Sequence, residues 1–200
     1  MSWIRALGYE ESEGRLRELY DRVRGPGGQI DAILRLHSLR PHTLEGHLAL
    51  YKAVLHHVGN RLPRPLLEAL GAYVSLLNGC DYCVEHHFAG LRRLVGDEEH
   101  RGIRRALERR RPQDVFDPRE AAAFRYAERL TLEPGRLTRE DVEELREAGL
   151  EDGEVLEVNQ VVAYFAYANR TVLGLGGSAA GETLGLSPRD KTLPEDWSHS

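Results

Sequence analysis

Apolar positions along the chain recur at spacings of three and four, and convincing runs of alternating β-branched residues are absent, so the pattern predicts an all-α fold. A first helix is expected over Glu11 to Arg24, with Leu16, Leu19, Tyr20 and Val23 on one face, stopped by Gly25-Pro26-Gly27-Gly28. A short helix follows around Ile30 to Leu39. Pro41 suits the first turn of the next one, where its missing N–H would have no intrahelical partner anyway, and that helix runs to about Val58. From Pro65 to Leu77 the pattern is helical again, with Leu66, Leu67, Leu70, Tyr73, Val74 and Leu77 available for burial. Asn78-Gly79 is a natural stop, since both residues tolerate left-handed backbone, and a further helix begins near Cys80 or Asp81 and reaches about Val95. Asp97 caps a helix to about Arg110, Asp117-Pro118 begins another, and Thr138 with Asp141 reads as an acidic capping box. The last long helix, roughly Glu154 to Leu173, carries the most apolar surface and ends at Gly174-Leu175-Gly176-Gly177. No linker or repeat divides the chain: residues 1–186 read as a single helical domain and 187–200 as a polar tail or arm.

Composition narrows this picture without redirecting it. The 200 residues are 41% hydrophobic, enough for an ordinary core, and the net charge of −5 is spread along the chain, which argues against nucleic acid as a partner. The arginine-rich stretch from Arg101 to Arg111 contains Glu108 and follows Asp97, Glu98 and Glu99, so it reads as a solvated helix face. The longest wholly apolar stretches, such as Val161 to Ala168, fall short of the about 20 residues a membrane span needs. The N-terminal segment lacks the pattern of a secretion signal, so a cytoplasmic location with no membrane partner is expected. Lysine occurs only at 52 and 191 while arginine abounds, and Met, Asn, Gln and Cys are scarce; this fits a thermophile or a genome-composition bias and bears on stability, not function.

In a reducing compartment the two cysteines are more naturally catalytic, redox-active or metal-binding than a staple. Cys80 and Cys83 stand as Cys-x-x-Cys at a helix start, where the sulfurs can reach one another. Thiolate is the reactive form, and the sequence offers two aids to it: the helix N-terminus favours Cys80, while His87, four residues beyond Cys83 on the same face, favours Cys83. Glu68, twelve residues before Cys80 in apolar surroundings, needs the surface or a polar partner, and His87 is the obvious one. Twelve residues leave an excess rotation of about 120° on an unbroken helix, so the Asn78-Gly79 break must turn the chain for the two to meet.

Glu68, Cys80-Asp81-Tyr82-Cys83 and His87, with these spacings, resemble the signature of the alkyl hydroperoxide reductase D-like (AhpD-like) proteins of the carboxymuconolactone decarboxylase superfamily, and the overall length resembles its peroxidase-related branch. The resemblance spans about residues 40 to 95 most strongly. It implies an AhpD-like helical bundle, homo-oligomeric and without a cofactor, acting as a thiol-dependent peroxidase. On this resemblance Cys83 attacks a hydroperoxide, Cys80 resolves the sulfenic acid as a disulfide, and Glu68 with His87 relays protons. A dithiol, a thioredoxin-like protein or a lipoyl protein restores the pair. Tyr82 departs from members that carry a histidine just before the second cysteine, and it cannot serve as a base near neutral pH. The superfamily's decarboxylases generally lack the cysteine pair, which argues against that chemistry here.

Two other readings compete. The chain can be a redox sensor that merely keeps a reversible disulfide, or a zinc protein using Cys80, Cys83 and His87 with Glu68 or His86; the latter lacks the second ligand pair usual in structural zinc sites. Haem attachment is excluded because Val84 follows Cys83. His86 reads as a packing or supporting residue. His37, His42, His47, His56 and His57 form no persuasive metal set and are expected at the surface. Tyr164, Phe165 and Tyr167 read as core or subunit interface, with Asn169 and Arg170 as candidates to line a pocket.

Overall fold

The computed structural model describes residues 2–25, 27–179 and 181–185; the tail expected at 187–200 lies outside the described residues. Among these the chain is all-helical, in the order α1 (Gly14–Val23), α2 (Ala32–Leu36), α3 (Pro41–Leu55), α4 (Arg64–Leu77), α5 (Asp81–Val95), α6 (Asp97–Glu108), α7 (Pro118–Leu132), α8 (Arg139–Glu147) and α9 (Asp152–Leu175), with single 3-10 turns at 112–114 and 134–136. The expected elements are present, and most differences lie at their ends. The first begins at Gly14 instead of Glu11, because Ser12 is buried and its hydroxyl donates to the Tyr9 carbonyl in a turn. The second keeps only five residues of its expected ten before turning at His37.

The bundle is organised around α4. All residues from Leu66 to Ser75 are buried, so this helix presents no solvated face, as befits a helix enclosed by others. It packs chiefly against α5, α9 and α7, and together they hold the largest apolar core, including Tyr73, Phe88, Phe124 and Phe165. A second core joins α1, α2 and α3 through Leu16, Leu19, Tyr20, Leu34 and Leu44. A third, smaller nook encloses both cysteines with Ala32, Leu36, Tyr82 and Val172.

Close approach of α4 and α9 depends on Gly71. A methyl group there would land inside the Phe165 ring, which is itself fully buried and stands edge-on to His87 with centroids 4.5 Å apart. The turn into α5 depends on Gly79, whose φ of 68° lies in the left-handed region. We expect Gly71→Ala to destabilise the protein by about 1–3 kcal/mol through overpacking, and Gly79→Ala by about 1 kcal/mol through backbone strain, both measured by denaturant unfolding. Only Gly71→Ala is expected also to shift the His87 side-chain NMR signals, because only it displaces Phe165.

Candidate active site

Helix α4 ends in a paired set of backbone bonds: Gly79 N–H donates to the Leu76 carbonyl at 3.1 Å and Cys80 N–H to the Ser75 carbonyl at 2.9 Å. This is the Schellman arrangement, which closes a helix and reverses the chain within two residues. Asn78 itself stays right-handed, so only Gly79 takes the conformation expected of either. Asn78 Nδ2 donates to Asn169 Oδ1 on α9, Asn169 Nδ2 to Ser75 Oγ, and Ser75 Oγ to the Gly71 carbonyl, at 2.9, 3.0 and 2.8 Å. Asn169 is thus a fully buried tie between the turn and α9, while Arg170 faces outward and bonds the Ala166 carbonyl.

Cys80 occupies the N-cap of α5 and Cys83 its first turn; both are free thiols with sulfurs 2.7 Å apart. Their electrostatics are unequal. The bond to Cys83 draws the Cys80 thiol below its ordinary range, against burial and with help from a backbone N–H at the helix start. That same bond, together with burial and charge on Cys80, pushes the Cys83 thiol up. Negative charge therefore favours Cys80, as the helix terminus suggests, whereas access favours Cys83: it lines a cavity that Cys80 does not.

The chain reversal brings α5 back along α4 and seats His87 Nδ1 2.7 Å from Glu68 Oε2. Glu68 is the one carboxylate on the buried stretch of α4. Burial by itself would raise its pKa, but the charge and hydrogen bond of His87 outweigh that and hold the carboxyl below the usual range. The bond commits Nδ1 as donor and leaves Nε2 as the ring's basic nitrogen.

Cys83, Glu68 and His87 share a cavity of about 160 Å³. Its remaining wall is partly aliphatic, from Ile33, Leu34, Leu48 and Leu94, partly aromatic, from Tyr51, Tyr164 and Phe165 with His47 among them, and partly polar, from Asp31, Arg64, Tyr82, His86 and Arg93. One side is closed by the segment 181–185. Glu182 reaches inward with its side chain nearly buried, accepting from Ala32 N–H at 2.7 Å and from the Tyr82 hydroxyl at 3.2 Å, and pairing with His86 Nε2 at 3.2 Å and Arg35 at 3.5 Å. Arg93 donates to the carbonyls of Leu184 and Gly185, and Gly185 lies so close to the α5 backbone at Ala89 and Gly90 that no Cβ fits. Burial, then Glu182 and Asp31, hold the Tyr82 hydroxyl protonated far above its ordinary range.

All four expected site residues therefore meet in one region: Glu68 with His87, Cys80 with Cys83, three of the four on one cavity. No group of three or more His, Cys, Asp or Glu side chains suited to a metal ion occurs among the described residues. Nor is any described helix long and apolar enough to cross a membrane. The histidine stretch departs from expectation: His42 and His57 are exposed, but His37 and His47 are buried, and His47 lines the cavity. The missed signal was its place on the apolar stripe Leu44, His47, Leu48, Tyr51 of α3, which is the buried side of that helix. Tyr51, Tyr164 and Glu182 were also missed as cavity or closure residues. Glu182 carried no local signal, because its partners lie about 100 or more residues away.

The reversed helix pair holds Cys-x-x-Cys beside a buried Glu–His pair, in a helical fold similar to those of AhpD-like proteins. Residues 41–129, from α3 into α7, match the family model described as "Carboxymuconolactone decarboxylase family". Among solved structures, an uncharacterized peroxidase-related protein with an alkylhydroperoxidase AhpD core from Ralstonia eutropha JMP134 is similar at 21% identity, covering 88% of this chain and 91% of that one, with a TM-score of 0.74. A peroxidase-related protein from Silicibacter sp. TM1040 is similar at 21% identity over 86% and 90% of the two chains, TM-score 0.71. The debrominase Bmp8 is similar at 19% identity over 86% and 89%, TM-score 0.70. No curated protein matches the sequence.

Burial, aided by His37, pushes the His47 pKa down to about 3. The unfolded chain, with a histidine near 6.5, binds more protons between these values, so folding stability falls as pH drops through that window, by up to about 1.4 kcal/mol per pH unit. Replacing the titrating ring, as in His47→Phe, is expected to flatten this part of the stability–pH curve measured by urea unfolding. A second expectation concerns closure: Glu182→Gln weakens the hold on Tyr82 and His86, and Cys83 is expected to react severalfold faster with iodoacetamide, read by mass spectrometry.

Proposed function

We propose that the protein is a thiol-dependent peroxidase that cycles Cys80 and Cys83 between dithiol and disulfide. The observation that carries this reading is that Cys83 opens onto the same cavity as the Glu68–His87 pair. Access selects Cys83 as the attacking sulfur even though charge rests more comfortably on Cys80. His87 Nε2 takes the Cys83 proton as the thiolate forms, and Glu68 stabilises the resulting imidazolium. The thiolate attacks the terminal peroxide oxygen, the O–O bond breaks, and the leaving alkoxide takes a proton from His87, giving Cys83 sulfenic acid and an alcohol. Cys80 then attacks the Cys83 sulfur, releasing water and forming the disulfide. A dithiol, thioredoxin-like or lipoyl-type donor returns the pair to thiols by exchange.

The similarity to a debrominase supports a second reading of the same dithiol: two thiols and a carbon–bromine bond yield a disulfide, bromide, a proton and the reduced carbon.

The test is hydroperoxide consumption by the full chain with dithiothreitol, thioredoxin or a lipoyl domain as donor. Many turnovers are expected, with loss in Cys83→Ser, accumulation of sulfenic or sulfinic acid on Cys83 in Cys80→Ser, and rates down by about 10²–10⁴ in His87→Ala and Glu68→Gln. Consumption of one equivalent with every donor would overturn the enzyme reading in favour of a redox sensor. Bromide release from a bromopyrrole under the same donors, without peroxide turnover, would select the second reading.

A further inference from the structure

Cys80 is fully buried in mostly apolar surroundings: Ala32 and Leu36 from α2 and Val172 from α9 close the nook around both cysteines. Burial alone favours a neutral thiol, so a thiolate at Cys80 needs hydrogen-bond donors. On its own helix the Cys83 thiol and backbone N–H favour the charge, while Asp81 opposes it. Helix α9 brings a further polar side chain, Asn169, one residue from Ala168, which lines the cavity with Cys83, and one turn from Val172.

The Asn169 amide is fully buried and fixed on both sides. Asn78 Nδ2 donates to its Oδ1 at 2.9 Å. Ser75 Oγ commits its hydrogen to the Gly71 carbonyl at 2.8 Å, so it can only accept from Asn169 Nδ2, at 3.0 Å, which settles which way the amide faces. Both partners belong to the turn that presents Cys80, whose N–H bonds the Ser75 carbonyl at 2.9 Å. Nδ2 carries a second hydrogen, and a buried amide hydrogen without an acceptor is costly. Among the described residues Ser75 Oγ is the only oxygen that takes an Nδ2 hydrogen. The two sulfurs are the neighbouring acceptors: after the larger influence each thiol has on the other, a hydrogen bond from the Asn169 side chain acts to lower both.

We propose that Asn169 is a catalytic residue of the dithiol, its second amide N–H donating to the Cys80 sulfur and stabilising the thiolate there in both halves of the cycle. This deepens the dithiol reading and rests on it for turnover, while thiol ionisation stands apart from turnover. In the oxidative half, the Cys80 thiolate attacks the Cys83 sulfenic sulfur, the S–O bond breaks, and hydroxide leaves as water with the proton Cys80 gave up. In the reductive half, a thiolate of the dithiol reductant attacks Cys83, the sulfur that meets the cavity; the S–S bond breaks and its electron pair departs on Cys80. The reductant's second thiolate then displaces Cys83, leaving the reductant oxidised and the pair reduced. A leaving sulfur with a lower pKa departs faster, so an N–H held against Cys80 serves the reductive half most.

The test uses full-length Cys83→Ser protein, so that a single thiol titrates, followed by ultraviolet thiolate absorbance against the protein with both cysteines replaced by serine. Adding Asn169→Leu is expected to raise the Cys80 midpoint by about one pH unit, a tenfold loss of thiolate. Asn78→Ala cuts the same tie to the turn but keeps the Asn169 N–H, and is expected to move the midpoint by no more than about 0.3 unit. With both cysteines present, Asn169→Leu is expected to shift the dithiol–disulfide equilibrium against glutathione about tenfold towards disulfide. A midpoint unmoved by Asn169→Leu, or moved as far by Asn78→Ala, would overturn the proposal. Should Asn169→Leu fail to fold by circular dichroism, the ¹⁵N-labelled Asn169 side-chain amide decides: one of its two protons is expected to shift as Cys80 titrates, and no shift would overturn the proposal. A raised midpoint in the variant, with no peroxide turnover by the unaltered protein, would sink the peroxidase reading alone; turnover with the midpoint unmoved would sink the role of Asn169 alone.

Discussion

A carboxylate on a helix with no solvated side must be paired, and this constraint orders the whole site. Glu68 sits within ten consecutive buried positions of α4, where removing its partner would leave an uncompensated charge costing about 3–5 kcal/mol. Its hydrogen-bond partner comes from a second helix, which the chain supplies by reversing at Asn78-Gly79 so that α5 returns alongside α4. The same reversal makes Cys80 an N-cap and puts Cys83 one turn inside the helix. Pairing the carboxylate and presenting the thiols are therefore consequences of one turn, itself pinned to α9 by the Asn78–Asn169–Ser75 chain of hydrogen bonds.

What the sequence made legible follows from how local each signal is. Helix stops at Gly79 and Gly176 depend on left-handed backbone that glycine adopts without strain, and both stand where the pattern put them. The Glu68–His87 contact was legible too, because a lone carboxylate among apolar neighbours needs a polar partner or the surface, and His87 stood beside the cysteines as the obvious candidate. His47 was misread for the opposite reason. Its neighbours His42 and His57 do face solvent, so composition suggested a polar surface, whereas the burial of His47 and the exposure of His42 are set by their angles on α3. The closure by Glu182 lay beyond sequence reading altogether, since nothing near it in the chain hints at partners on α2 and α5.

Tyr82 shows how a departure from the family pattern acquires a structural account. Placed between the cysteines, it offers no base, and its hydroxyl is held protonated. Instead it donates to Glu182, the residue that fastens the 181–185 segment beside the cavity, and lies over His86 with ring centroids 4.5 Å apart. The position next to the second cysteine is thereby given to closing the site, which in the proposed cycle leaves proton transfer to His87.

The conflict between charge and access at the two sulfurs has a consequence for the order of events. Cys80 is the better thiolate but lies off the cavity, and Cys83 meets the cavity but holds its proton. A resting pair in this state is poorly reactive towards an electrophile until the Cys83 proton leaves, and the acceptor available on its own face of α5 is His87, whose Nδ1 is already committed to Glu68. Once Cys83 is oxidised, the preference reverses in usefulness: the neighbouring sulfur is the one already inclined to ionise, 2.7 Å away, and so is suited to resolve it. In the proposed cycle, unequal thiols of this kind would divide attack and resolution between the two cysteines without needing a second base.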